Sequence, residues 1–443
     1  MQLKMPANVQ LIIDKLTKRG YEAYIVGGCV RDSVLEKKPD DWDVTTSAQP
    51  CEIKKVFTRT IDTGIAHGTV TVLVGSDAIE VTTYRIDGEY RDNRHPDSVE
   101  FTTNLSQDLQ RRDFTINAMA YNDEEGLIDP FGGMKDLKRQ VIRCVGEPYQ
   151  RFGEDALRIL RAVRFAAQLE FTIDDNTKVA IQESVASLEH ISAERIQVEI
   201  IKLITSPRPE VWRDAWELGI TKVIMPEFDT MMVTEQNTPY HMYNVGEHTI
   251  KVMENVSPNR VLRLAALLHD VGKPMMKTTD TNGIDHFKRH SEVGEKIAGD
   301  ILRRLKFDND TTNEVLRLIK WHDHRPQANE RSVRRAVNKI GDDIFPSFLD
   351  LQYADTMGKS EVDLSEKLKL NADLRKIYKK IKDEGQCISL KDLAISGKDL
   401  IDIGIKTGPS MGEILKRALN EVLDDPTKNT KEYLMAQIGK DSI

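Results

Sequence analysis

The stretch VGGCVRDSVLEKKPDDWDVTT, Val26 to Thr46, decides how the N-terminal part of this chain is read. AYIVGG has the apolar run of a buried strand that ends at Gly27-Gly28, and CVRDSVL starts a helix. Backbone N–H groups and Arg31 at such a strand end suit an anion. The spacing is neither GxGxxG nor a Walker A loop, so it is not a dinucleotide or P-loop fingerprint. DWDVTT then follows. On a strand, side chains two apart share a face, so Asp41 and Asp43 are expected to project together, with Trp42 pointing into the core and Asp40 pointing away. Hard oxygen ligands on one face suit Mg²⁺, which needs few protein carboxylates when substrate phosphates complete its shell. A tight turn and a solvated acidic loop would explain the charges, but not why they run straight into a β-branched strand.

Outward from this stretch, residues 1 to about 140 mix a helix (NVQLIIDKLTKRG) with short β-rich runs such as GTVTVLVG and AIEVTTYR, the mark of an α/β or α+β domain. From about Asp155 the strand signals nearly vanish, and EDALRILRAVRFAAQL and AERIQVEIIKLI carry apolar residues at helical spacing. Breaks at Ser206–Pro209, Asn237–Tyr240 and Asp383–Gln386 divide the helical part. The expected division is 1–140, 141–235, 236–360 and 361–443. At 443 residues, 40% apolar and 30% charged, the chain has ample core for a soluble globular protein. Its four cysteines, Cys29, Cys51, Cys144 and Cys387, form no CxxC pair, which argues against a disulfide framework or thiolate zinc site and for a reducing, cytoplasmic compartment. The first residues lack a signal-peptide layout, and the apolar run in VLRLAALLHD is too short to cross a bilayer. A net charge of −8 argues against wholesale coating of nucleic acid, so basic groups must be sought by segment.

Two such groups stand out. RRDFTINAMAYN, from Arg111, places paired arginines before a short Asp-Phe-Thr-Ile-Asn segment. GEDALRILRAVRFAAQL places Arg158, Arg161 and Arg164 at three-residue steps, with Asp155 one turn before Arg158. Arginine forks pair bidentately with phosphates or base edges, and an Asp–Arg pair can offer a donor–acceptor pattern to a base.

GGCVRD, DWD, RRDFTINAMA, DPFGGMKDL and EDALRILRAVRF, in this order and spacing, resemble the class II tRNA nucleotidyltransferases, the CCA-adding enzymes, over residues 20 to about 205. The same family holds bacterial poly(A) polymerases and enzymes that add only CC or only A. The resemblance implies an α+β fold: a polymerase-β-like nucleotidyltransferase head with a mixed sheet, then an all-α neck, a further helical domain and a helical tail. It implies that Asp41 and Asp43 hold catalytic Mg²⁺, and that Gly28 and Arg31 contact the triphosphate, with Arg112 among the nucleotide-binding arginines. Asp155 and Arg158 match the EDxxR motif, whose side chains pair with the Watson–Crick edge of CTP and then ATP; Arg161 and Arg164 complete that site. The helix from Glu194 resembles a neck helix that buttresses the pocket. TTYRIDGEYRDNRHPDSVEF fits the family's flexible loop, whose presence argues against CC-only addition.

In the middle segment, His248, then LLHDVGKP with His269-Asp270, then Asp355 in YAD reproduces the H…HD…D order of HD-domain metal-dependent phosphohydrolases. This resemblance implies a divalent metal of unspecified identity on His248, His269, Asp270 and Asp355, with His290 and His322 where two-metal members place further ligands. His241 and His324 receive no role. The tail, with GPSMGEILKRAL as a helix start that could meet a phosphate, and the neck are where the resemblance places tRNA, bound by shape and backbone. KRAL and RSVRRAV could equally be solvated faces. The leading expectation is an enzyme that adds or repairs the 3′-CCA of tRNA from CTP and ATP. A-only addition, poly(A) synthesis, and a metal phosphohydrolase whose N-terminal domain only binds nucleotide or RNA are the alternatives.

Overall fold

The computed structural model describes residues 2–88 and 98–441. The chain forms two compact units, Met1–Pro226 and Glu227–Ile443. The first carries a seven-stranded mixed sheet. Its strands are β1 (Ala23–Val26), β2 (Asp43–Thr46), β3 (Thr60–Gly64), β4 (Thr69–Val74) and β5 (Asp77–Thr83). A separate ribbon, β6 (Arg85–Asp87) with β7 (Val99–Phe101), precedes the last two strands of the sheet, β8 (Ala120–Asn122) and β9 (Gly126–Ile128). The order is β3-β4-β5-β2-β1-β8-β9, with β2 and β5 parallel and the remaining neighbours antiparallel. β1 is central and buried at all four residues, as its unbroken AYIV run requires. The helix Ala7–Thr17 packs on β1 and β2 through Val9, Ile12, Ile13 and Leu16. The expected head with a mixed sheet, followed by helical segments, is therefore what the chain forms.

Trp42 departs from expectation. It lies just ahead of β2 and is half-buried, lining a surface groove with Leu3, Met5, Val34 and Pro39 instead of entering the core. The strand begins only at Asp43, so alternation does not drive the Trp42 side chain inward. The expected flexible loop falls in large part on residues 89–97, which lie outside the described residues.

Beyond the sheet, the helix Leu157–Leu169 is buried nearly all round, Arg158 and Arg164 included, and it packs on the helix Ala193–Ile204. Asp155 is not part of the first of these. It is an extended residue between the helices Pro148–Glu154 and Leu157–Leu169, so the expected one-turn spacing from Asp155 to Arg158 is interrupted.

The second unit is helical apart from the short ribbon Thr278–Thr279 with Asp285–His286. Its C-terminal part has its own core around Leu400, Leu419, Val422 and Leu434. The arginines of RSVRRAV are committed within the fold. Arg331 and Arg335 converge on Asp424, and the buried Arg334 donates to the carbonyls of Leu423 and Asp424, where cations suit the end of the helix Pro409–Asp424. Among the described residues no helix is long and apolar enough to cross a membrane.

The contact between helices Leu157–Leu169 and Ala193–Ile204 holds the arginines of both in register. Ile200, 1% exposed, is among the buried apolar residues of the second helix. Ile200→Ala should cost about 3 kcal/mol in urea unfolding. A loss under about 1 kcal/mol would show that this contact does not hold the pair together.

Candidate functional sites

The glycine pair is explained by its neighbours. Gly27 has φ 82° and ψ −130°, a conformation open in practice only to glycine, and a Cβ there would lie 3.0 Å from Arg112 Nη1. A Cβ on Gly28, the first residue of the seven-residue helix Gly28–Val34, would lie 3.7 Å from Arg31 Nη2. Gly27 therefore lets the Arg112 guanidinium from RRDFTIN come close to the strand end, while Arg31 stands at ordinary contact distance from Gly28.

Asp43 opens β2 and is half-buried, while Asp41 sits in the preceding bend and is exposed, as is Asp40. Burial, and next the charge of Asp41, push the Asp43 carboxyl up to about 6, with Arg112 pulling the other way. Glu80, opposite Asp43 on β5, adds a third negative charge that sequence reading missed because the β2/β5 register is long-range. Mutually repelling carboxylates that are partly stripped of water gain from a divalent cation, so the donor set fits the metal that the family implies.

Behind this pair lies a network of arginines and acids. Buried Asp113 accepts from Arg161 Nε at 2.8 Å and Nη2 at 2.5 Å, and from Asn117 Nδ2 at 3.1 Å. Asn117 Oδ1 in turn accepts from Arg31 Nη1 at 2.7 Å. Burial opposes the Asp113 charge, but Arg161 and the Asn117 hydrogen bond outweigh it and hold the carboxyl far below its ordinary range. Arg164, also buried, pairs with Glu199 at 3.2 Å, and Asp155 accepts from Arg195 Nη2 at 2.8 Å. Both partners come from the helix Ala193–Ile204, so the segment expected to be a passive buttress contributes charge directly to the arginine set. Arg158 donates to Glu154 and to the carbonyls of Arg151 and Arg111, whereas Asp155 is paired with Arg195. Arg111 and Arg112 share the fully buried Asp108. Asp41, Asp43, Gly28, Arg31, Arg112, Arg161 and Arg164 thus belong to one neighbourhood, linked by Asp113, Asn117, Glu199 and the Phe165 ring, none of which the sequence singled out.

The second unit gathers the other predicted residues. His248 stands on the helix Val245–Asn255, His269-Asp270 ends the helix Arg260–Leu268, His290 opens His290–Arg304, His322 ends Asn309–Trp321, and Asp355 stands on Phe345–Met357. Each histidine directs Nδ1 at a backbone carbonyl: His248 at Gly358 (3.0 Å), His269 at Ala266 (2.8 Å), His290 at Phe287 (2.7 Å) and His322 at Ile319 (2.6 Å). A carbonyl can only accept, so each Nδ1 carries a proton, and each Nε2 would offer a lone pair to a metal once deprotonated. These Nε2 atoms converge on the carboxylates. Asp270 Oδ2 lies 3.5 Å from His248 Nε2 and 3.2 Å from His269 Nε2, and its Oδ1 lies 3.3 Å from His290 Nε2 and 3.6 Å from His322 Nε2. Asp355 Oδ1 is 3.1 Å from His248 Nε2. His269 Nε2 is buried with no hydrogen-bond partner, which fits a cation at this point. Two triads, His248/His269/Asp270 and Asp270/His290/His322, have ligand atoms within 4.8 Å of one another.

The glycine of HDVGKP has a packing reason too. A Cβ on Gly272 would lie 2.2 Å from the His290 carbonyl oxygen, so only glycine lets the His269-Asp270 turn meet the helix that begins at His290. Lys273 lies 2.7 Å from Asp270 Oδ2, and Lys359 and Arg325 lie 2.6 Å and 3.2 Å from Asp355 Oδ2. A cavity of about 490 Å³, lined in part by Tyr240, His241, Arg325, Lys359 and Leu374, adjoins the cluster. His241 sits edge-on to His248 and lines this cavity, whereas His324 does not line it.

Comparison with known proteins identifies the family of the chain. Residues 23–143 match the Poly A polymerase head domain, 170–232 match the probable RNA and SrmB-binding site of polymerase A, and 278–438 match the putative tRNA nucleotidyltransferase domain 2. A CCA-adding enzyme of Pediococcus pentosaceus is 33% identical over 98% of this chain and 97% of its own length. That of Levilactobacillus brevis is 35% identical over 96% of each. The structure is similar to that of the Bacillus stearothermophilus CCA-adding enzyme in complex with CTP, with a TM-score of 0.72, 28% identity and 99% of each chain covered. This chain belongs to the CCA-adding enzymes, which are nucleotidyltransferases.

Proposed function

We propose that this protein adds or repairs the 3′-terminal CCA of tRNA, using CTP and ATP and no nucleic-acid template. The observation that carries this reading is the meeting of the Asp41/Asp43 pair with Arg112, Arg31 and the Arg161/Arg164 set in one compact unit. Asp41 and Asp43 would hold Mg²⁺, which when bound acidifies an RNA 3′-hydroxyl and neutralises a triphosphate. The reaction is attack of that hydroxyl on the nucleotide α-phosphate, with pyrophosphate leaving. Arg31 and Arg112, beside the Gly27-Gly28 turn, orient the triphosphate through charge-assisted donors. Asp155 and Arg158 read the Watson–Crick edge, with Arg161 and Arg164 completing the pocket. For base pairing, Asp155 must exchange its bond with Arg195, and Arg158 its bonds with Glu154 and two carbonyls. That exchange would form part of the change from C to A addition. Binding of tRNA to the neck and tail should weaken with salt.

Incubation with tRNA lacking its terminus and single labelled nucleotides tests this reading. C incorporation from CTP alone, followed by one A when ATP is added, is expected. A without C would select A-only or poly(A) synthesis, and no incorporation would sink the reading. Asp41→Ala should lower the rate at least about a thousandfold, equivalent to roughly 4 kcal/mol of barrier, with the fold retained. Asp40→Ala should leave metal-dependent activity nearly unchanged.

A second reading is favoured by the convergence of four Nε2 atoms on Asp270 and Asp355. His248, His269, Asp270 and Asp355 would hold a divalent metal, which when bound supplies a Lewis acid and an activated water for phosphoester hydrolysis. The cations Lys273, Lys359 and Arg325 surround the same carboxylates, where a phosphate would approach. His269→Ala should lose bound transition metal by elemental analysis and lose any phosphoesterase activity, while C and A incorporation stays within about twofold of the parent. Retained metal in that variant would contradict the assignment.

A further inference from the structure

Phe165 looks like one more apolar residue on a helix that is buried nearly all round. Its surroundings are unusual. The ring centroid lies 4.0 Å from Arg164 Cζ, 5.0 Å from Arg31 Cζ and 5.3 Å from Arg161 Cζ. All three lie within the distance at which a guanidinium is attracted by an aromatic ring. The ring is 6% exposed and meets Phe114 edge to face at 5.9 Å. Phe114 is the Phe of RRDFTIN, so the motif that supplies Arg112 and Asp113 also backs the ring.

We propose that Phe165 is a positioning residue for the nucleotide site: its ring is the common platform that holds the guanidiniums of Arg31, Arg161 and Arg164 together. The inference rests on reading these arginines as nucleotide-binding.

Three guanidiniums in one partly buried place repel one another, and each already has one acid: Asp32 for Arg31, Asp113 for Arg161 and Glu199 for Arg164. Burial lowers the Arg164 guanidinium to about 10, and the charges of Arg161 and Arg31 add to that effect against the pull of Glu199 and Asp113. A fourth carboxylate would relieve the repulsion, but it would occupy N–H donors and repel a triphosphate. An aromatic ring attracts the cations through its π-face without accepting their strong hydrogen bonds and without adding net charge. It therefore stabilises the cluster and leaves N–H groups for phosphate oxygens or a base edge. A leucine would fill similar space but lacks the quadrupole.

The test keeps shape and varies the ring electrostatics. Phe165 is replaced by mono-, di- and trifluorinated phenylalanine, which drain the π-face progressively, and separately by Leu. KM and kcat for CTP and ATP are measured on tRNA acceptors, with CTP binding by calorimetry and melting temperature recorded alongside. KM for both nucleotides and the CTP dissociation constant should rise stepwise, reaching about tenfold for the trifluoro ring. kcat at saturation should stay within about twofold, and every fluorinated protein should remain fully folded at the assay temperature by circular dichroism, with at most a modest fall in melting temperature. Phe165→Leu should resemble the trifluoro protein in KM. Constant KM and CTP affinity across the series would overturn the role of Phe165, as would a rise in KM that merely tracks loss of folded protein at the assay temperature. If the parent protein neither bound CTP nor incorporated it, the underlying reading would fail as well, so the two failures are distinguishable.

Discussion

One buried carboxylate ties the arginine cluster of the proposed nucleotide site together. Asp113, 7% exposed, is ion-paired with Arg161 from the helix Leu157–Leu169 and hydrogen-bonded to Asn117, whose other end holds Arg31 beside the glycine turn. A buried charge without partners would be expensive, so this acid imposes geometry on everything that pairs with it. Through it the sheet of the head and the following helices share a single polar network. The rest of the site is arranged around that constraint: Phe165 faces the same arginines, and Glu199 and Arg195 reach in from the next helix.

The acidic end of the site follows a different logic. Asp43 is pushed up by burial and by Asp41, so ionising it costs free energy until a cation arrives. The histidine centre is the converse. Burial opposes the charges of Asp270 and Asp355, but the surrounding His, Lys and Arg groups outweigh it and keep both carboxyls well below their usual range. There, lysines and an arginine already neutralise the carboxylates that a metal would use, so cation binding must compete with Lys273, Lys359 and Arg325.

Much of this was legible in the amino-acid sequence because local spacing carries it. The AYIVGG strand and its glycine turn, a strand-containing N-terminal domain and the helical remainder follow from periodicity and turn residues, whereas the mixed sheet was implied by the family resemblance. The H…HD…D order identified residues that the fold does bring together. What was not legible depends on long-range contact. Arg195 meets Asp155 across 40 positions and Arg161 meets Asp113 across 48, distances that no helical spacing predicts. Phe165 reads as core because its aromatic character is equally useful in packing. Strand alternation does not govern Trp42 because the strand begins only at Asp43, and the expected Asp155–Arg158 helical neighbours are separated by a helix break.

If Asp113 couples Arg31 and Arg161 into one nucleotide site, loss of one arginine should change what the other contributes to nucleotide binding. A double-mutant cycle on CTP binding, measured by calorimetry for the parent, Arg31→Ala, Arg161→Ala and the double variant, tests it most directly. A coupling free energy of at least about 1 kcal/mol is expected for residues that share one network. Strict additivity, within about 0.3 kcal/mol, would contradict it.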